Sequence, residues 1–138
     1  MAAWASEVSV AQVPGSSLGA SLGMTGAERW PHVFSPIRLG PLELPNRIVM
    51  SGMHTNLEAF PDGFRRLAAF YGERARQGVG LIVTGIYSPL ASRDGEDHSP
   101  CFNTEGDVDR HRQVTAAVHH EGGRILLQLG HDAATVSA

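Results

Sequence analysis

Val79-Gly-Leu-Ile-Val-Thr-Gly-Ile86 is an apolar run with no charge and no alternation of polar and apolar positions. A strand buried on both faces has this character, and such strands belong almost entirely to parallel sheets covered by helices. Helix-like segments stand on either side of it. From about Phe64 to Gln77, the residues Phe64, Leu67, Ala68, Tyr71 and Ala75 fall at i, i+3, i+4, i+7 and i+11, a single apolar stripe that stops at Gly78, a suitable C′ residue. A second helix is expected from about Asp107 to Glu121, ended by Gly122-Gly123. Two more strands frame the set, Arg47-Ile-Val-Met-Ser51 before the first helix and Arg124-Ile-Leu-Leu-Gln-Leu129 after the second. The order β, α, β, α, β specifies parallel strands joined by right-handed crossovers.

Two α/β architectures use this unit, an open doubly wound sheet and the opening of a (β/α)8 TIM barrel. Ser51-Gly52-Met53-His54-Thr55 follows the first strand without a GxGxxG, so the dinucleotide fingerprint of the first architecture is missing. Upstream, Phe34 to Leu44 reads as two short extended pieces around Gly40-Pro41, with Ile37, Leu39, Leu42 and Leu44 on one face of a small hairpin. A hairpin capping the floor of a barrel favours the barrel. A whole barrel takes about 250 residues, so residues 34–138 hold about three of its repeats and read as a partial barrel, truncated after strand three. Residues 1–33 are rich in Ala, Ser and Gly, with Arg29 the first basic residue; they read as a flexible leader lacking the charged start and apolar core of a secretory signal.

Composition removes several chemistries. All basic residues among the 138 are Arg, which excludes a Schiff-base lysine and a P-loop lysine. The single cysteine, Cys101, excludes an internal disulfide framework, a CxxC zinc site and an iron–sulfur cluster held within this chain, and fits a reduced, cytoplasmic setting. A net charge of −3 without charge blocks implies no nucleic-acid surface, and no apolar run is long enough to span a membrane.

In a parallel sheet the strands deliver their C-terminal ends to one face, where both architectures place their ligands. Those ends carry Ser51, Gly52, Met53, His54 and Thr55, then Thr84 and Gly85, then Gln128 and His131. A glycine at Gly85 allows a flat ligand to approach the backbone, or relieves crowding at a strand end. Gln128, inside an otherwise apolar strand, is expected to be buried. Its carboxamide suits a ring edge offering an acceptor beside a donor, or backbone partners in the core. His54 alone is an ordinary loop histidine. His54, His131 and Asp132 lack the spacing of a metal site, and none is assigned. His111, His119 and His120 read as surface residues of the second helix, and Arg74 and Arg76 as solvated helix charges.

These positions carry a resemblance. FSPIRLGPLELPNRIVMSGMHTNLEAFPDG, RLAAFYGERARQGVGLIVTG and VHHEGGRILLQLGH, in that order over roughly residues 33–131, resemble the N-terminal part of the old yellow enzyme (NADH:flavin oxidoreductase) family, and more narrowly its 2,4-dienoyl-CoA reductase branch. The resemblance implies a (β/α)8 barrel with FMN at its C-terminal mouth. It implies hydride passing from NAD(P)H through flavin to an activated alkene. By position, Ser51, Gly52, Met53 and His54 resemble the segment lying along the flavin, with His54 near the O4/N5 edge. Gly85 resembles the small residue touching the ring, and Gln128 the glutamine bonded to its pyrimidine end. The family usually continues past the strand-three histidine with Gly-Arg, where this chain reads His131-Asp132-Ala133. No catalytic residue is assigned: the family's proton-donating tyrosine is expected beyond residue 138, and Tyr71 and Tyr87 match neither its position nor its role. Two outcomes are therefore expected. The chain is part of an FMN-dependent reductase, or it is a non-catalytic truncated or split-gene product that self-associates or needs a second chain to complete the barrel.

Overall fold

Gly40, at φ +57°, turns the chain between β1 (Ile37–Leu39) and β2 (Leu42–Leu44), an antiparallel hairpin in register Ile37↔Leu44. Glycine adopts this left-handed conformation at little cost, and Pro41 fixes the next φ. The computed structural model describes residues 25–90 and 100–130. Of the hairpin's apolar face only Leu44 is fully buried, while Leu39 is exposed. The expected leader lies outside the described residues up to residue 24. From Thr25 the chain already forms two helical turns, α1 (Gly26–Arg29) and α2 (Pro31–Phe34). A capping box starts them: Thr25 Oγ1 accepts from the Glu28 amide at 3.2 Å, and the Glu28 carboxylate accepts from the Thr25 amide at 2.6 Å.

Three parallel strands follow, in the spatial order of the chain: β3 (Val49–Met50), β4 (Leu81–Tyr87) and β5 (Ile125–Leu129). β3 pairs with β4 as Val49↔Leu81, and β4 with β5 as Ile82↔Ile125 and Val83↔Leu126. Asn46 fastens the lower end of the first pair. Buried, it donates through Nδ2 to Gly78 O at 2.8 Å and accepts from Ile48 N at 3.0 Å.

α3 (Gly63–Arg76) and α4 (Glu105–His120) cover one side of the sheet. Leu67, Tyr71 and Ala75 from α3, Ile82 from β4, and Val114 and Val118 from α4 form the core, so the apolar stripe lies where its spacing places it. Each fully buried aliphatic chain there contributes about 1.5–3 kcal/mol. A Cβ on Gly72 would stand 3.6 Å from that of Ala117, so small residues set the approach of the two helices. α4 begins with a second capping box, Thr104 with Asp107. Among the described residues, no helix is long and apolar enough to cross a membrane.

One reading of α4 is corrected. His119 and His120 are exposed, but His111 is buried at 8% exposure. It precedes Val114 and Val118 by three and seven residues, on the same helical stripe, and its ring stands edge-on to Phe64, Tyr87 and Phe102 at 4.7–4.9 Å. Nδ1 donates to Asp107 O at 2.7 Å, while buried Nε2 has no hydrogen-bond partner. Burial pushes the imidazole pKa below its ordinary value.

The opposite side of the sheet is largely open. By register, Val49, Leu81, Val83 and Leu126 share that side. Val49 is 51% exposed and Leu126 49%, an unusual state for strand aliphatics.

Candidate functional site

Strand β4 is irregular where it approaches its C-terminal end. Val83 pairs with Leu126 but Ile86 pairs with Gln128, so Thr84 and Gly85 together oppose Leu127 alone. This is a β-bulge, a device that re-aims backbone and side chains at the end of a strand. Thr84, buried at 4% exposure, accepts from Gln128 N at 3.1 Å and donates from Oγ1 to Gly85 O at 2.8 Å. Gly85 N makes a long hydrogen bond, 3.4 Å, to the Tyr71 hydroxyl.

The segment after β3 packs against this bulge through glycine. A Cβ on Gly52 would overlap Gln128 Oε1 and stand 2.6 Å from Thr84 O. A Cβ on Gly85 would stand 2.7 Å from Met53 O and 3.7 Å from His54 Cα. All three strand ends therefore meet: Gly52 touches both β4 and β5, and Met53-His54 runs across Gly85. Of the six residues predicted from the sequence, Gly52, Met53, His54, Gly85 and Gln128 come together here. Ser51 adjoins them in the chain and is exposed.

One sequence reading changes. Gln128 is exposed rather than buried. It stands on the same side of β5 as Leu126, away from both helices, with its carboxamide oxygen beside Gly52. In the direction a Cβ would take, the space beside Gly85 is filled by the Met53 carbonyl, which agrees with its reading as relief of crowding at a strand end. Met53 itself is 51% exposed, which extends the apolar surface of Val49 and Leu126 to the strand ends.

Thr84 stands among the strand-end residues in the sequence but received no role there, because a threonine in a strand is unexceptional. Tyr71 and Tyr87 are buried, and desolvation raises both phenol pKa values, so both are neutral. Tyr71 belongs to the core with α3, and Tyr87 meets His111 and Phe102 edge-on. His131 and Asp132 lie outside the described residues, as does 91–99 of the long loop after β4. Among the described residues no group of three His, Cys, Asp or Glu is arranged to hold a metal.

The family model for the NADH:flavin oxidoreductase / NADH oxidase family matches residues 32–137. The chain belongs to this family. Its fold is thus part of a TIM barrel, with the open side of β3–β5 corresponding to the barrel interior. The NADH oxidase of Thermoanaerobacter brockii is 36% identical over 108 residues, covering 74% of this chain and 16% of that protein. The cinnamate reductase of Clostridium sporogenes is 33% identical over 103 residues, covering 70% of this chain and 16% of that protein. Among solved structures, the old yellow enzyme from Trypanosoma cruzi superposes with a TM-score of 0.65 at 29% identity, over 75% of this chain and 28% of that one. This member of the family spans only 16% of the length of those two relatives and 28% of that structure.

Proposed function

We propose that the chain supplies the first three strand ends of an FMN site in an oxidoreductase that passes hydride from NAD(P)H to an activated alkene. The observation that carries the proposal is the meeting of Gly52, Met53-His54, Gly85 and Gln128 at the C-terminal ends of three adjacent parallel strands, beside an open apolar surface. These residues fit the ring end of a flavin. An exposed carboxamide can both donate to and accept from a pyrimidine edge, while Val49, Met53 and Leu126 offer apolar surface to a flat ring. FMN, when bound, supplies the hydride chemistry.

The chain's own residues would bind, orient and tune. Gln128 would pair with the pyrimidine end and disperse negative charge there. Met53 and His54 would lie along the ring edge, held at fixed distance by their backbone contact with Gly85. Val49 and Leu126 would keep water from the covered face. Tyr71 and Tyr87 serve no proton-transfer step: they are packed with α3 and α4, behind the sheet. A proton donor and the phosphate grip would come from other parts of the barrel.

The relative named for reduction of cinnamate supports an alkene substrate, and the one named for oxidation of NADH supports a nicotinamide reductant. The dienoyl-CoA branch is the reading the sequence motifs favour. A reducing cytoplasmic setting is consistent with the free thiol of Cys101.

A second reading rests on the exposed aliphatics of β3 and β5, which make an incomplete interior on its own a sticky surface. In that reading the chain associates with itself or with a second chain, or is non-catalytic. One experiment separates the two. Purified chain is incubated with FMN, desalted and titrated anaerobically with NADH. Retained flavin colour that bleaches supports the proposal; colourless protein eluting as large aggregates supports the second reading.

A further inference from the structure

We infer that Thr84 is a positioning residue: from behind the sheet, its hydroxyl fixes the β4 bulge so that Gln128 and Gly85 are held in their places at the strand ends. This rests on the FMN reading for its functional consequence, while its geometry stands on the fold alone.

A bulge interrupts the ladder and leaves backbone groups without their ordinary partners. Here the groups around the bulge are taken up by side chains. Thr84 Oγ1 accepts the Gln128 amide at 3.1 Å and donates to Gly85 O at 2.8 Å, and the Tyr71 hydroxyl accepts the Gly85 amide at 3.4 Å. The threonine hydroxyl thus receives one bond and gives its single proton to another, and it ties β5 to the bulge through one atom. Its own carbonyl also abuts Gly52, so the segment after β3 rests on the same residue.

Thr84 does not reach the open side. It is buried, and it borders the groove between α4 and β5 with Phe102, His111, Ile125 and Leu127. Valine there would keep shape and volume but would leave the Gln128 amide and the Gly85 carbonyl unsatisfied, the costly half of losing a hydrogen bond. The bulge would then relax toward the regular register, and a one-residue shift in a strand reverses the side on which each side chain stands. Gln128 and Gly85 are the residues such a shift would displace.

The test compares wild type, Thr84→Val and Thr84→Ser by amide hydrogen exchange of the full chain without cofactor, and by FMN titration. Thr84→Val is expected to speed exchange at Gln128 roughly tenfold while Ile82 and Val83 are unchanged, and to weaken FMN binding roughly tenfold, the loss of about one hydrogen bond. Thr84→Ser, which keeps the hydroxyl, should return both within about twofold of wild type. Unchanged Gln128 exchange in Thr84→Val overturns the inference, as does faster exchange with undiminished FMN affinity. Equal losses in Thr84→Ser also overturn it, because they would trace the effect to packing. If wild type itself binds no FMN, the cofactor reading fails, and the exchange comparison still decides whether Thr84 holds the bulge. Should Thr84→Val not fold, Thr84→Cys replaces it, with similar size and a much poorer donor and acceptor.

Discussion

Gln128 Oε1 occupies the space that a Cβ on Gly52 would need. Gly52 follows β3 and Gln128 lies on β5, so this contact bridges the two outer strands across the end of β4. Because the Thr84 carbonyl would also stand 2.6 Å from the added carbon, there is rigid backbone as well as a side chain in the way. Gly52→Ala should therefore push the strand ends apart, at a cost of about 1–3 kcal/mol as for other overpacked sites. FMN titration should show affinity lowered by about tenfold or more. Affinity equal to wild type would mean the contact has no part in binding.

A second glycine tests the fold without touching the site. Gly63 opens α3, and a Cβ there would stand 2.7 Å from Glu58 Cα in the 3-10 turn Leu57–Ala59. Alanine gains up to about 1 kcal/mol in helix propensity over glycine. The clash with backbone should outweigh it, leaving Gly63→Ala less stable by about 1–2 kcal/mol in urea unfolding. A stabilised variant would show that the turn moves aside freely.

His111 makes stability depend on pH near neutrality. Its folded pKa lies below the ordinary value of 6.5, because burial disfavours the charged ring. Above that value the ring is neutral in both states and the stability is fully present. As pH falls below about 6.5, the unfolded chain takes up a proton that the folded chain resists, and stability declines until the folded ring also titrates. Thermal melting followed between pH 7.5 and 5 should fall for wild type and much less for His111→Phe (window set by the ordinary histidine range, about 6.5). Parallel curves for the two proteins would contradict this account.

Asp107 acts in a separate, more acidic window. Thr104, first by its hydroxyl and then with Asn103 by backbone amides, holds the carboxylate at about 2, below the ordinary 3.8. Its contribution is present above the ordinary value and is lost as pH falls between 3.8 and about 2. Asp62 is held to a similar range by Arg65 and Arg66, but as an exposed pair it contributes little. Asp107→Asn should thus flatten acid unfolding, and Thr104→Ala should cost about 1 kcal/mol at neutral pH. Both are read by circular dichroism across an acid titration.

The elements that were legible in the sequence are those whose signal is local. The uncharged run of β4, the stripe of α3 and the Gly40-Pro41 turn each carry their own period or dihedral requirement, and each lies where expected. The strand-end residues were legible too, because parallel strands must deliver them to one side. What was hidden depends on the neighbours. His111 looks like a helix-surface histidine until Phe64, Tyr87 and Phe102 close around it, although its spacing to Val114 and Val118 was a usable signal. Gln128 looks like a core residue because its strand is apolar, yet that strand faces an open side. The bulge at Thr84-Gly85 has no sequence period at all: it appears only in the register of β4 against β5.

The central claim is that these strand ends form the ring-binding side of a flavin site. The most direct measurement is a backbone amide NMR titration of the chain with FMN. The account predicts shifts concentrated at Gly52, Met53, His54, Gly85 and Gln128, with the α3 and α4 amides little changed. No shifts at saturating FMN, or shifts centred on the groove between α4 and β5, would contradict it.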